Sequence, residues 1–205
     1  VYASKGLVQR LLAEGEASPA DVVLTVDIGR LRQYADKNLF ATFASDKLLA
    51  AIPQHLRSSD NTWFCFSKRS RIIAVSKDLE NQDQIKRFEN IEDERWKGVV
   101  CSRPGSHVYN RALLSSIIAA NGEADAKAWA EGLVANLARS PRGNDRAQLK
   151  AIHAGECGVS IVNHYYYGKL INSSDTEQRQ WAESVNMIIP HQGKNDRGAH
   201  RIISG

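Results

Sequence analysis

CGVSIVNHYYYGKL, residues 157–170, decides how this chain is read. Its first half, CGVSIV, is a short apolar run of the kind that forms a buried strand. Its second half, NHYYYGKL, sets three of the chain's six tyrosines side by side, Tyr165, Tyr166 and Tyr167, between His164 and Gly168. Consecutive residues of a strand point to opposite faces, so adjacent tyrosines there would not share a target. Where a strand ends and the chain turns into a helix the restriction lifts, and such carboxyl ends are where open α/β sheets place ligands. A third phenol has a similar setting. SRPGSHVYN follows the strand-like KGVVC, enters a helix at Ser106 or His107 and carries Tyr109.

Outward from these turns, helix and strand alternate. Leu7, Leu11 and Leu12 fall on one face of a short helix ending near Gly15. VVLTV (Val22 to Val26) reads as a strand covered on both sides, closed by Asp27, and a second helix carries Leu31 and Tyr34. WFCFS and RIIAVS are two further strands joined by the basic turn KRSR. DLENQDQIKRFENIEDERW is highly charged and reads as a surface crossing. After it come KGVVCS and helices near 107–120, 124–138 and 145–154, with Gly122 and Gly155 placed as C-caps and Asn144 and Asp145 as an N-cap. CGVSIV, a helix near 176–184 and the strand VNMIIP follow. This is an α/β chain of two lobes joined near residues 72–78. The join sets residues 1–76 apart from 77–192, the lobe that carries the tyrosines.

Hydrophobic residues make up 42% and charged residues 24%, an ordinary globular composition, and 205 residues suffice to bury a core. No apolar run approaches the roughly 20 residues of a membrane span, and no charged segment followed by an apolar one opens the sequence. Val1 at the start and RIISG at the end read as cuts within a longer protein. The formal charge of +4 is mild and spread out, and KRSR stands without interleaved aromatics, which argues against a nucleic-acid partner. Cys65, Cys101 and Cys157 contain no CxxC pair. Cys101 and Cys157 border strands that can lie side by side, so a disulfide and two buried free thiols both fit; Cys65 reads as a small core residue.

Phenolate is a hard anionic oxygen donor with an unperturbed pKa near 10. A trivalent hard cation such as ferric iron repays its deprotonation, whereas zinc and copper favour His and Cys, and calcium favours carboxylates. From the residues alone two readings stand: metal ligands, or amphipathic wall residues whose hydroxyls are satisfied at a lobe surface.

NHYYYGKL resembles the NxYYxG segment of the periplasmic ferric-iron-binding proteins that feed bacterial ABC importers. SPADVVLTVDIGRL, KRSRIIAVSKD, WKGVVCSRPGSHVYNRALL and ARSPRGNDRAQLKAIHAGE resemble further segments of that family, in the family's order and across essentially the whole chain. The resemblance implies a two-lobed class II binding-protein fold with its first lobe incomplete: residues 1–76 would be a partial first lobe, 77–192 the second lobe and 193–205 the start of the return crossing. It implies a periplasmic, monomeric carrier that holds Fe³⁺ between its lobes and passes it to an inner-membrane ABC permease. Its ferric ligands would be Tyr109, Tyr165 and Tyr166, with Tyr167 in packing and His164 exposed or behind the ligands. A synergistic anion such as carbonate would complete the site, with Ser102, Arg103 and the next helix start as donors. The alternatives are a binding protein of the same architecture for an oxyanion or a polyamine and, behind these, an enzyme. No GxSxG, Ser–His–Asp pattern or Gly-rich phosphate loop supports the last.

Overall fold

An amphipathic helix buries one stripe, and a strand that is apolar throughout needs cover on both faces. The computed structural model describes residues 6–190 and the backbone of residues 202–204. Their contacts divide the chain into two units, one of residues up to Lys68 with Ile203–Gly205, the other Arg69–Ile202.

The first unit contains α1 (Leu7–Glu14), α2 (Ile28–Ala35) and α3 (Asp46–Ala51). Leu7, Val8 and Leu11 pack with Tyr34 against Val23, Leu39 and Phe40. Val8 takes the place expected of Leu12, which is exposed. VVLTV is not a strand: residues 22–26 join no ladder, the chain bends at Val26, and Val22 and Leu24 are each 84% exposed. A strand needs a hydrogen-bonding neighbour, and none pairs with this run among the described residues. WFCFS likewise forms only an isolated bridge, Phe64 to Arg57.

KRSR is no turn but the beginning of a nine-residue strand, β1 (Lys68–Ser76), which belongs to the second unit from Arg69 onward. Besides β1 the sheet has β2 (Val100–Cys101), β3 (Val159–Asn163) and β4 (Val185–Ile188), in the order β2-β3-β1-β4. β1 is antiparallel to β3, with Arg71 opposite Asn163, and antiparallel to β4, while β2 runs parallel to β3. The residues expected to begin a return crossing, 193–205, lie largely outside the described ones; the short strand β5 (Ile202–Ser204) pairs with β1.

Strand alternation sorts the core into two layers. Ile73, Val75, Val159 and Ile161 face α4 (Val108–Asn121) and α5 (Glu123–Ala135), packing with Leu113, Ile117 and Trp129. Ile72, Ala74 and Val162 face α6 (Asp145–His153), α7 (His164–Ile171) and α8 (Thr176–Glu183), packing with Leu149, Leu170 and Ala182. The charged run 78–96 is not merely a surface crossing. Ile85, Phe88 and Ile91, three residues apart, and then Trp96 drive short 3-10 turns into the first layer. Gly132 of α5 lies so close to this segment that a Cβ there would sit 2.7 Å from the Glu92 Cβ. Gly122, at φ 90°, separates α4 from α5, and the Asn144 side chain caps α6 by accepting from the Ala147 N–H. Cys101 and Cys157 form a disulfide at the join of β2 and β3, with 5.8 Å between Cα atoms; Cys65 is free and buried.

Candidate metal centre

β2 and β3 are adjacent and parallel, yet the helices that follow them pack on opposite faces of the sheet: α4 in the layer of Ile73, α7 in that of Ile72. Such a divergence opens a crevice at the strands' carboxyl ends. All three phenols expected at the site lie there, in the first turns of the two helices. Tyr109 is the second residue of α4, whose N-cap His107 accepts the Tyr109 N–H on its ring at 3.2 Å. Tyr165 and Tyr166 are the second and third residues of α7.

The Tyr109 and Tyr165 hydroxyls meet at 3.2 Å, and the Tyr166 ring lies against that of Tyr165 with centroids 4.5 Å apart. Asn163, buried at the end of β3, donates its side-chain amide to the Tyr165 hydroxyl at 3.2 Å. Tyr166 and Tyr167 also pack on the second core layer. His164 is exposed, and its Nδ1 accepts the Ser70 N–H at 3.1 Å.

Behind the phenols stands a polar core that inspection of the sequence did not find. Asp145, wholly buried at the first residue of α6, accepts from Arg71 Nη1 and Arg103 Nη1, each at 2.8 Å, and from the Asn163 N–H at 2.8 Å. Arg71 also donates to Asn110 Oδ1 and to the Ile161 carbonyl. The guanidinium carbons of Arg69, Arg103 and Arg71 lie 4.6, 4.9 and 5.9 Å from the Tyr109 ring centroid. Ser102 Oγ donates to the Arg103 carbonyl and accepts from the Asn110 amide. Thus Arg103 lies over the Tyr109 ring and is anchored to Asp145, and Ser102 is engaged by the Arg103 carbonyl and by Asn110 of α4. One signal was available: arginines two apart on a strand, Arg69 and Arg71, put both side chains on one face.

Burial is the largest influence on both central phenols and raises each pKa above the ordinary tyrosine range. For Tyr109 the hydrogen bond with Tyr165 adds to the rise and the charge of Arg69 opposes it. For Tyr165 the neighbouring Tyr166 adds, while hydrogen bonds from Tyr109 and Asn163 oppose. Among the described residues no group of three or more His, Cys, Asp or Glu side chains is placed to hold a metal ion; the hydroxyls that meet at the crevice are those of Tyr109 and Tyr165. An apolar cavity of about 170 Å³ between α4 and α5 touches Ser102 and Arg103, but no tyrosine lines it.

Residues 17–195 match the family described as bacterial extracellular solute-binding protein. The chain belongs to that family. Iron uptake protein A1 of Synechocystis is 41% identical over 199 residues, 97% of this chain and 55% of that protein. Among solved structures, apo FutA2 from Synechocystis superposes with a TM-score of 0.91 at 38% identity, over 99% of this chain and 64% of that one. Trichodesmium IdiA (FutA), in complex with iron and citrate ligands, gives a TM-score of 0.88 at 39% identity over 97% of this chain and 62% of that one. The fold is the two-lobed class II binding-protein type, present here in part, and the chain spans just over half to under two thirds of these relatives' lengths.

Proposed function

We propose that this protein binds ferric iron through the phenolates of Tyr109, Tyr165 and Tyr166 and delivers it, as a periplasmic monomer, to an inner-membrane ABC permease. The observation that carries this reading is the 3.2 Å approach of the Tyr109 and Tyr165 hydroxyls, from helices that begin 56 residues apart. Three phenolates balance a trivalent cation, so a buried site need hold little net charge. Their proton affinity is a filter as well, since a softer or less charged ion repays deprotonation poorly. Ser102 and Arg103 are proposed as neighbours of an accompanying anion such as carbonate, Arg103 having given Asp145 only its Nη1. The likeness to iron-uptake proteins supports the same cargo.

The test uses the full-length protein and ferric iron. A visible phenolate-to-iron charge-transfer band is expected, and Tyr166→Phe is expected to weaken both that band and the affinity. The loss should exceed the 10–100-fold typical of removing a group behind a ligand. Unchanged iron binding in Tyr166→Phe would overturn the ligand set. Equilibrium dialysis against ferric citrate and against phosphate separates this reading from an oxyanion carrier, for which phosphate alone would be retained.

A further inference from the structure

Asp145 touches none of the three phenols, yet it is tied to every segment that carries or faces them. Its Oδ2 accepts from Arg71 on β1 and from the backbone N–H of Asn163 at the end of β3. Its Oδ1 accepts from Arg103 in the loop between β2 and α4. Each contact is passed forward. Asn163, anchored through its N–H and by Arg71 Nη1 on its Oδ1, gives its amide to the Tyr165 hydroxyl. Arg103, held by the other oxygen, lies over the Tyr109 ring. Arg71 grips Asn110, the residue after Tyr109, at 3.0 Å. From the geometry we infer that Asp145 is a positioning residue for ferric iron: by fixing Asn163 and Arg103 together it brings the Tyr109 and Tyr165 oxygens to one point before the ion arrives.

This rests on the phenolate reading above and adds a residue to it. The physical reason is pre-organisation. Two helices diverging to opposite faces of a sheet have no backbone hydrogen bonds to each other, so the separation of their first turns must be set by side chains. A wholly buried carboxylate with three charge-assisted or backbone donors is the stiffest such link at the site. The donors also tune the ligand. An amide given to the Tyr165 oxygen stabilises negative charge on it, which raises the energy needed to move an electron from that phenolate to iron. Slackening the anchor of Asn163 therefore moves the charge-transfer band to longer wavelength.

The experiment compares full-length wild type, Asp145→Asn, Arg103→Met and Leu149→Ala. Leu149 is buried on the same helix one turn beyond Asp145 and faces the core, so its truncation loosens α6 without touching the network. With ferric iron, Asp145→Asn is expected to lose 10–100-fold in affinity, measured by competition with citrate, and to shift the band to longer wavelength. Arg103→Met keeps the Asp145–Arg71 pair and is expected to lose on the order of tenfold. Leu149→Ala is expected to lower the melting temperature while the band stays in place. If Asp145→Asn does not fold, Asp145→Glu decides, because it keeps the charge and Arg103 but displaces the carboxylate from its three donors. An unmoved band and affinity in the folded variants, or equal movement in Leu149→Ala, overturns the inference. Absence of a band in wild type instead overturns the phenolate reading itself.

Discussion

Burial holds the Tyr109 and Tyr165 phenols above the ordinary tyrosine range, and Tyr34 in the first unit is raised for the same reason. An acid whose folded pKa exceeds its unfolded value of about 10 binds its proton more tightly when folded. Its stabilising contribution is complete below about pH 10 and is lost as pH rises through the folded value. Iron-free protein should therefore lose stability on the alkaline side, read as a denaturation midpoint that holds up to about pH 10 and falls above it. Iron reverses the sign. Each ligating phenol must release its proton, so affinity should fall on acidification, and a pH-independent ferric dissociation constant would exclude phenolate ligation. The phenols were legible in the sequence because adjacent tyrosines at a strand end are chemically conspicuous. The link between Asp145 and Asn163 was not, since Asn163 shows only as the first letter of NxYYxG and nothing in the sequence pairs it with a residue 18 positions earlier. Asp145 was read as a helix cap, and it does open α6, but its carboxylate turns inward to partners 74 and 42 residues away in sequence.

Elements announced themselves where their period was uninterrupted, and failed to where a neighbour decides. The spans read for α4, α5, α6 and α8 match the observed helices to within a few residues because caps such as Asn144 and Gly122 mark their ends. VVLTV has a strand's composition but no ladder among the described residues, and KRSR, polar enough to pass for a turn, is held in β1 by pairing with β3. The charged segment after β1 hid its apolar residues, because Ile85, Phe88 and Ile91 stand singly among charges on short separate 3-10 turns and their flanks, and no one element repeats long enough to show a period. Among the described residues its docking on α5 is the tightest approach a glycine makes to backbone. Beyond the 2.7 Å contact, a Cβ at Gly132 would stand 3.0 Å from the Glu92 carbonyl oxygen, and backbone does not yield cheaply. Gly132→Ala is expected to destabilise by about 1–3 kcal/mol despite the gain in helix propensity. Gly168→Ala, where nothing lies within 4 Å, should be neutral or stabilising by up to about 1 kcal/mol. Chemical denaturation of both variants checks the contrast, and equal midpoints would mean that the segment is not packed against α5 as described.

The two units differ in what holds them. The second has a sheet covered on both faces, two buried clusters and the Cys101–Cys157 disulfide. That bond joins residues 56 apart and contributes about 4 kcal/mol by loop closure. Every residue of the phenol network, from Arg69 to Tyr166, lies inside this unit. The first unit, by contrast, packs four buried residues into one small cluster and leaves Val22, Leu24 and Phe43 exposed. A fragment of residues 69–205, folded under oxidising conditions, is therefore expected to unfold cooperatively and to keep native chemical shifts around Tyr109 and Tyr165. It should also take on the iron charge-transfer colour, since Tyr109, Tyr165 and Tyr166 all lie within it. Residues 6–68 alone should give no cooperative transition, their apolar burial being too small to offset the chain entropy. Denaturation followed by circular dichroism, with and without ferric iron, decides both points. A fragment of 69–205 that stays unfolded with its disulfide formed would mean that the core and the phenol site depend on chain outside it.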